Sequence, residues 1–339
     1  MKQRIHWLTF IVLLACLPVS VSAGSQQASY WLNKMMKAVH ETNYDGYFVY
    51  LHGNNIESLR TVHTYKNGHE IERLFSLNGE AREIVRDNET VTRIVPNDRK
   101  IATTRRLLNK TSFSDFFVLD LDKIEKNYEV LLQGKGRIAD RATNIIAFMP
   151  KDTLRYGYRL YLDDESALPL QWEMFDHKNR LVSSIMFTQI TIGSSVADTG
   201  NLLEGGKQSE LGKKRSVKAQ ADLPHKAKDP SRAEVVSKAA KLKGTDWQFA
   251  ELPKGFAMMH HRNGIPGHKN RNIEHFIFSD GMASFSVYIE QTDKARLDGQ
   301  AQLGALNAFG VYLDGYQVTA VGEVPVQTLG FISRLGKQP

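Results

Sequence analysis

A stretch of 59 residues without one Phe, Trp or Tyr, residues 188–246, divides this chain of 339 residues. At the chain's aromatic content of 9%, about five would be expected there. The stretch is rich in Gly, Ser, Lys and Ala, so it cannot bury enough apolar surface to offset the entropy lost on ordering. We therefore predict two folded units, residues 24–192 and 246–335, joined by a linker over residues 193–245.

Most of the positive charge of the chain lies in this linker. The net charge is +7, and residues 205–243 alone carry eleven Lys or Arg against four Asp or Glu. The folded units are therefore not basic, and we expect no nucleic-acid partner. The basic run is interpreted as a solvated spacer or as a segment attracted to anionic lipid headgroups.

Residues 1–23 have the three parts of a secretory signal peptide. Two basic residues precede an apolar run at residues 7–17, and a small-x-small cleavage site ends at Ala23. The apolar run is shorter than the roughly 20 residues of a membrane-spanning helix. We predict export and a soluble mature protein. In the alternative, Cys16 belongs to a lipoprotein cleavage site; otherwise the single cysteine leaves with the signal.

The first folded unit begins with a helical pattern and continues with strand patterns. Trp31, Met35 and Val39 recur at helical spacing and predict an amphipathic helix with a core face. Many short β-prone runs follow, separated by turn signals such as Asn67-Gly68. Strands this numerous, with few helix-length gaps, predict an α+β fold. Its main part would be a large antiparallel half-barrel covered by helices.

Residues 111–127 interrupt these strands and suit a flap or helix over the mouth of the sheet. The second unit is shorter and is predicted to be a small C-terminal α/β domain. Turn signals at Asp280-Gly281 and Asp314-Gly315 predict two hairpins, and a helix is predicted to begin at Pro325.

The sequence contains no constellation that calls for catalysis. It has no Gly-x-Ser-x-Gly elbow, and without a cysteine the mature chain has neither a thiol nucleophile nor a Cys-rich zinc site. The acidic run at residues 163–165 is interpreted as a solvated turn rather than a calcium site. Four histidines of the second unit lie close in sequence but lack the spacing of a metal site: His260, His261, His268 and His275. We expect no enzyme, no metal and no cofactor.

The aromatic residues of the first unit allow two interpretations. A curled sheet can bury them as a filled core, or it can leave a groove for an acyl chain or apolar peptide. The residues alone favour the filled core. At Tyr47-Phe48, however, one ring must face each side of the sheet, so one of them needs cover from a helix or a ligand.

Segments in both units resemble the RseB/MucB family, the periplasmic regulators of the envelope-stress sigma factor (sigma-E/AlgU). They are YDGYFVY (44–50), LNGEAREIVR (77–86), PKDTLRYGYRLYLD (150–163), FSDGMASFSVYIE (278–290) and VTAVGEVPVQT (318–328). The resemblance implies a half-barrel similar to the lipoprotein carriers and a small C-terminal domain. It also implies binding to the periplasmic segment of a membrane anti-sigma factor of the RseA/MucA kind. That binding would shield the segment from site-1 proteolysis until lipopolysaccharide or another lipid releases it.

Because of this resemblance, we prefer the interpretation of a binding groove to that of a filled core. The aromatic residues and the Arg-Tyr run then give the candidate site residues. The candidate lipid contacts are Tyr47, Phe48, Phe113, Phe116, Phe117 and Trp172. The candidate partner contacts, predicted to lie at a sheet edge, are Arg155, Tyr156 and Tyr158. A homo-oligomer is compatible with the sequence. The alternative functions are a periplasmic lipid or lipoprotein carrier and an envelope hydrolase.

Overall fold

Two antiparallel sheets, of 11 and six strands, organise the chain. The structure is a computed structural model that describes residues 21–88, 90–95, 100–105, 113, 117, 119–194, 196, 247–249, 251–263 and 273–337. Of the predicted flap at residues 111–127, the structure describes residues 113, 117 and 119–127, while the predicted signal peptide lies outside the described residues up to residue 20. The predicted linker does too, except for residues 193, 194 and 196.

In its described residues, the first unit contains the helices α1 and α2 and the large sheet. In chain order its elements are α1 (Val21–Glu41), β1 (Tyr44–His52), β2 (Asn55–Lys66), β3 (His69–Ser76), β4 (Glu83–Asp87), β5 (Thr90–Val95), β6 (Lys100–Arg105), α2 (Leu121–Asn127), β7 (Tyr128–Ile138), β8 (Arg141–Pro150), β9 (Gly157–Asp163), β10 (Pro169–Phe175) and β11 (Leu181–Ile192). The strand order is β6-β5-β4-β3-β2-β1-β11-β10-β9-β8-β7. The first and last strands therefore pair at the centre, with Tyr44 opposite Ile192.

The large sheet is curved, because its edge strand β7 contacts β11, which lies four places away in the strand order. Helix α1 covers the concave face and contacts β7. Its side chains Leu32, Met35 and Val39 are fully buried, which confirms the predicted core face of the amphipathic helix. Complete burial of such a side chain stabilises the fold by about 1.5–3 kcal/mol. The predicted half-barrel covered by helices is confirmed.

The turn between β2 and β3 shows why the hairpin signal was informative. Asn67 and Gly68 have φ angles of 54° and 80°, both in the left-handed region. Two-residue hairpins of this kind match the twist of their strands, and only Gly, Asn and Asp adopt those angles at low cost. The sequence therefore specifies the register of β2 against β3.

The second unit consists almost entirely of strands. Its elements are β12 (Trp247–Gln248), β13 (Ala257–Asn263), β14 (Ile273–Ser279), β15 (Ser284–Gln291), β16 (Gly299–Leu303), β17 (Leu306–Leu313), β18 (Tyr316–Gly322), α3 (Val326–Leu329), a 3₁₀ helix (Gly330–Arg334) and β19 (Gly336–Lys337). The six-stranded sheet has the order β13-β14-β15-β18-β17-β16, and β12 pairs with β19. The helix expected from Pro325 is one short α-turn followed by 3₁₀ geometry, so the α part of this small domain is less than predicted.

The two units meet where two turns touch. A Cβ atom added to Gly53, in the β1–β2 turn, would lie 2.4 Å from the Cα of Gly304, in the β16–β17 turn. Both glycines also have φ angles near 60°. Only glycine permits this backbone approach, and it brings the second unit against the end of the large sheet.

Candidate functional site

Aromatic rings fill the concave side of the large sheet. Phe48 of β1 and Phe187 of β11 point inward, and Phe113 lies 5.7 Å and 5.2 Å from them between ring centroids. Phe117 packs on Phe113 at 5.0 Å. Phe113 is 4% exposed and Phe117 is 1% exposed, so both rings belong to the core in this structure. Phe116 lies outside the described residues.

Phe113 is also held by a polar contact that the sequence analysis missed. Its backbone N–H donates a hydrogen bond of 2.7 Å to the carboxylate of Glu72, which is 1% exposed. Glu72 in turn lies 3.4 Å from the guanidinium of the buried Arg86. The spacing of Glu70 and Glu72 could have indicated that both carboxylates share one face of β3, because residues two apart on a strand do so, but it does not indicate Phe113 as a partner.

Glu70 completes this buried charged network of β2, β3 and β4. It accepts hydrogen bonds from His63 at 2.9 Å and from His40 of α1 at 3.1 Å, and it pairs with Arg86. Burial alone would raise the pKa of Glu70, but the hydrogen bonds from these three side chains hold it far below its usual range. The carboxylate of Glu70 therefore stays charged at neutral pH beside the aromatic core.

Tyr47 and Phe48 lie on opposite sides of the sheet, as alternation along a strand requires. Phe48 is buried in the concave core. Tyr47 is 39% exposed, and the guanidinium of Arg60 lies 5.5 Å from its ring centroid. Of these two candidate lipid contacts, only Phe48 faces the interior, where an acyl chain would bind.

The prediction that Arg155, Tyr156 and Tyr158 lie at a sheet edge is wrong. Tyr158 belongs to β9, which pairs with β8 on one side and β10 on the other, while β6 and β7 form the edges. Arg155 and Tyr156 precede β9 and are buried. The sequence pattern marked a β-prone run correctly, but it carries no information about how many strands lie beyond it.

Arg155 and Tyr156 join the two units instead. The guanidinium of Arg155 lies between the rings of Tyr128 and Phe256, at 5.7 Å and 5.3 Å from their centroids. Its Nε lies 3.5 Å from the carboxylate of Asp280, and its Nη2 donates to a backbone carbonyl of the second unit. The hydroxyl of Tyr156 accepts a hydrogen bond of 2.9 Å from Asn307.

Asp280 is the buried acid of this junction. It accepts hydrogen bonds from the backbone N–H groups of Met282 and Ala283, at 2.9 Å and 2.8 Å, and from the hydroxyl of Tyr128 at 3.2 Å. Burial raises the pKa of Asp280, and these hydrogen bonds and Arg155 partly oppose that effect. The junction is thus polar inside, and each group depends on a partner from the other unit.

A cleft of about 330 Å³ lies between the units beside this junction. The first unit lines it with Tyr158 and Trp172, and the second unit with residues 282–286, Tyr288, Leu306 and residues 321–323. The rings of Tyr158 and Trp172 lie 5.4 Å apart, and both also pack against the aromatic core. The candidate lipid contact Trp172 and the candidate partner contact Tyr158 therefore sit together, where the interior of the half-barrel meets the cleft.

Glu323 carries the single charge among the described residues that line this cleft. Its carboxylate accepts a hydrogen bond of 3.4 Å from the hydroxyl of Tyr50 on β1. Burial raises the pKa of Tyr50 to about 12, and the charge of Glu323 adds to the effect. Tyr50 is therefore a neutral donor at physiological pH.

The three acids of residues 163–165 have partners, as do two of the four histidines of the sequence analysis. His268 lies outside the described residues, and the buried Nε2 of His260 has no hydrogen-bond partner among them. His261 contacts Glu274 at 2.9 Å, and His275 contacts Ser286 at 3.0 Å. Asp163 is buried and holds Arg141 at 2.6 Å, so the interpretation of its turn as solvated is wrong at that position. In the described part of the chain, no three His, Cys, Asp or Glu side chains form a metal-binding group. No helix in that part is both long enough and apolar enough to cross a membrane.

A half-barrel with an aromatic interior and a cleft lined by a second sheet is an architecture suited to binding a guest. Family models for the MucB/RseB N-terminal and C-terminal domains match residues 27–204 and 241–334. The chain belongs to the MucB/RseB family.

Two relatives show the extent of the similarity. The chain is 25% identical over 330 residues to the sigma-E factor regulatory protein RseB of Escherichia coli strain K12, covering 97% of this chain and 96% of the relative. It is 26% identical over 326 residues to the sigma factor AlgU regulatory protein MucB of Pseudomonas aeruginosa, covering 94% of each.

Solved structures have the same fold. The chain aligns with a structure of the MucA/MucB complex of Pseudomonas aeruginosa with a TM-score of 0.67 and 24% identity, over 92% of this chain and 99% of that one. A crystal structure of MucB aligns with a TM-score of 0.57 and 25% identity, over 93% of this chain and 99% of that one.

Proposed function

We propose that this protein is a non-enzymatic negative regulator of the envelope stress response. It binds the periplasmic segment of a membrane anti-sigma factor and shields that segment from site-1 proteolysis. Family membership over both units supports this function, since the relatives are named as regulators of sigma factors and a related structure contains MucA. The observation that carries the proposal is the cleft between the units, which both sheets line.

The protein acts in the periplasm, soluble after its signal peptide is removed. The sequence pattern of residues 1–23 supports export. A function in the periplasm is also consistent with the expectation of no nucleic-acid partner, since the basic run of the sequence lies in residues 205–243 rather than in the folded units.

Lipopolysaccharide or another lipid ends the shielding. An acyl chain that enters the half-barrel competes with Phe113 and Phe117 for the concave face, and it reaches Trp172 at the cleft. A hundredfold loss of partner affinity corresponds to about 2.7 kcal/mol of coupling. Burial of a methylene contributes about 0.8 kcal/mol, so a few methylenes supply that coupling.

The position of the second unit favours a regulator over a lipid carrier. A carrier needs its cavity mouth free to receive and release a chain. Here the second unit is fixed across the mouth by the Arg155–Asp280 contact and by the hydrogen bond between Asn307 and Tyr156. A guest in the half-barrel is thereby sensed by a second domain.

Proteolysis of the anti-sigma segment tests this function. The purified segment is incubated with site-1 protease alone, with this protein, and with this protein and lipopolysaccharide. We expect rapid cleavage, protection and restored cleavage, respectively. Equal cleavage rates with and without the protein would contradict the shielding role, and protection that no lipid reverses would contradict the release step.

A further inference from the structure

Glu323 lies in the interdomain cleft, which residues of both units line. Its side chain is half-buried and accepts one hydrogen bond from Tyr50. Within the described residues, no Lys, Arg or His forms an ion pair with it. A carboxylate that loses part of its hydration without gaining a nearby cation lowers the stability of the fold. Such a carboxylate in a cleft therefore indicates that a cationic group of a partner binds there.

Aromatic rings stand beside this carboxylate. Trp172 and Tyr158 form one wall of the cleft and Tyr288 lies on the other. Glu323 lines the same cleft as Tyr158, Trp172 and Tyr288. Ring faces attract an ammonium or guanidinium group, and a carboxylate in the same cleft adds a charge-assisted hydrogen bond.

An acyl chain fits this cleft less well than a cation does. Ser284, Ser286 and Glu323 line it, and a hydrocarbon chain would desolvate these groups without replacing their hydrogen bonds. Strand addition is also excluded at this wall, because β15 already pairs with β14 and β18 along its length. Recognition in the cleft therefore depends on a side chain that enters it.

We propose that the interdomain cleft binds a Lys or Arg side chain from an extended part of the anti-sigma segment, with Glu323 as its counter-ion and Trp172 as its aromatic contact. This inference rests on the proposed function and names the chemistry of the partner at one point. It also explains how two guests compete, since Trp172 contacts both the cleft and the aromatic interior. A chain that displaces Trp172 weakens the cation site.

Binding of the anti-sigma segment to the full mature protein tests the cation site. The affinity of a fluorescent segment is measured by anisotropy for the wild type, Glu323→Gln and the control Glu129→Gln, whose carboxylate is exposed on β7. We expect Glu323→Gln to bind at least about tenfold more weakly and to depend less on salt. The control should match the wild type. Equal affinities for all three proteins, with unchanged melting temperatures, would overturn the inference.

The cation on the partner is found by replacing each Lys and Arg of the segment by Met. One of these replacements should weaken binding of the segment to the wild-type protein by about the same factor as Glu323→Gln does. The same replacement should have little further effect on binding to the Glu323→Gln protein, because in a double-mutant cycle two residues that interact directly are not additive. Fully additive losses for every such residue would contradict a direct pair with Glu323.

A second measurement separates this inference from the proposed function. N-acetyl-arginine amide, at millimolar concentration, should change the fluorescence of Trp172 in the wild type. It should not do so in Glu323→Gln, and N-acetyl-glutamine amide should have no effect; the Trp172→Phe protein gives the background. If the segment does not bind but this response is present, the cation site stands and the proposed function is wrong. If the segment binds and the response is absent, the function stands and the cation site is wrong.

Discussion

The backbone N–H of Phe113 donates its hydrogen bond to the buried carboxylate of Glu72, 2.7 Å away. A ring in the aromatic interior is thereby tied to the charged network of β2, β3 and β4. Because this hydrogen bond comes from the backbone of Phe113, a change of the Phe113 side chain does not remove the donor. The aromatic interior and the charged network are therefore one structural unit.

Truncation of Phe113 should destabilise the protein strongly. Phe113→Ala leaves a cavity among Phe48, Phe187 and Phe117, and such a loss costs about 3–5 kcal/mol. Tyr47→Ala, on the exposed side of β1, should cost less than about 1 kcal/mol. Urea unfolding followed by circular dichroism measures both. A small loss for Phe113→Ala would mean that its ring does not belong to the core.

Removal of the Phe117 ring should make it easier for lipid to release the anti-sigma segment. This ring occupies space that an acyl chain needs, so Phe117→Ala lowers the cost of entry, and apolar cavities of this kind bind apolar guests. We expect release of the anti-sigma segment at a lower lipopolysaccharide concentration than for the wild type.

The opposite result for Phe117→Ala has a clear meaning. A higher lipopolysaccharide requirement, with partner affinity unchanged, would show that the ring contacts the bound lipid rather than excluding it. Leu181→Ala, an exposed change on β11, serves as the control and should leave the concentration unchanged.

Glu70→Gln should reduce the acid sensitivity of the fold. Hydrogen bonds hold the pKa of Glu70 below its usual value near 4.5, despite the opposing effect of burial. A depressed pKa stabilises the folded state fully above the unfolded-state pKa, and that stabilisation is lost as the pH falls below it. The wild type should lose stability below about pH 4.5, and Glu70→Gln should be less stable at neutral pH with a flatter acid profile.

The free energy of unfolding between pH 3 and pH 7 measures this effect, with Glu80→Gln, in an exposed turn, as the control. Parallel pH profiles for Glu70→Gln and the wild type would show that Glu70 does not cause the loss of stability in acid.

Arg155→Met should separate the two units. It leaves Asp280 buried without its cation, and breaking a buried pair in this way costs about 3–5 kcal/mol. Arg137→Met, an exposed change on β7, should cost less than about 1 kcal/mol. Thermal unfolding gives the loss of stability and small-angle scattering gives the separation of the units. An unchanged scattering profile and melting temperature would show that the Arg155–Asp280 contact does not hold the junction.

The fold was largely predictable because its signals are local. Helical spacing in α1 and the Asn67-Gly68 turn depend only on neighbouring residues, and both were predicted correctly. The position of Arg155 was not, because its environment combines Tyr128 of one unit with Asp280 of the other. The Glu72–Phe113 hydrogen bond spans 41 residues, and no spacing rule connects a carboxylate to a distant backbone N–H.

The central pairing of β1 with β11 has a consequence for how this protein is made. Tyr44 finds its partner Ile192 only after nearly the whole first unit has been synthesised. Until then, β1 has an unpaired edge that can join other chains. Such long-range pairing folds slowly. The chain is therefore most exposed to aggregation before its first unit is complete, and a chaperone that covers β1 should raise its yield more than one that acts on the completed protein.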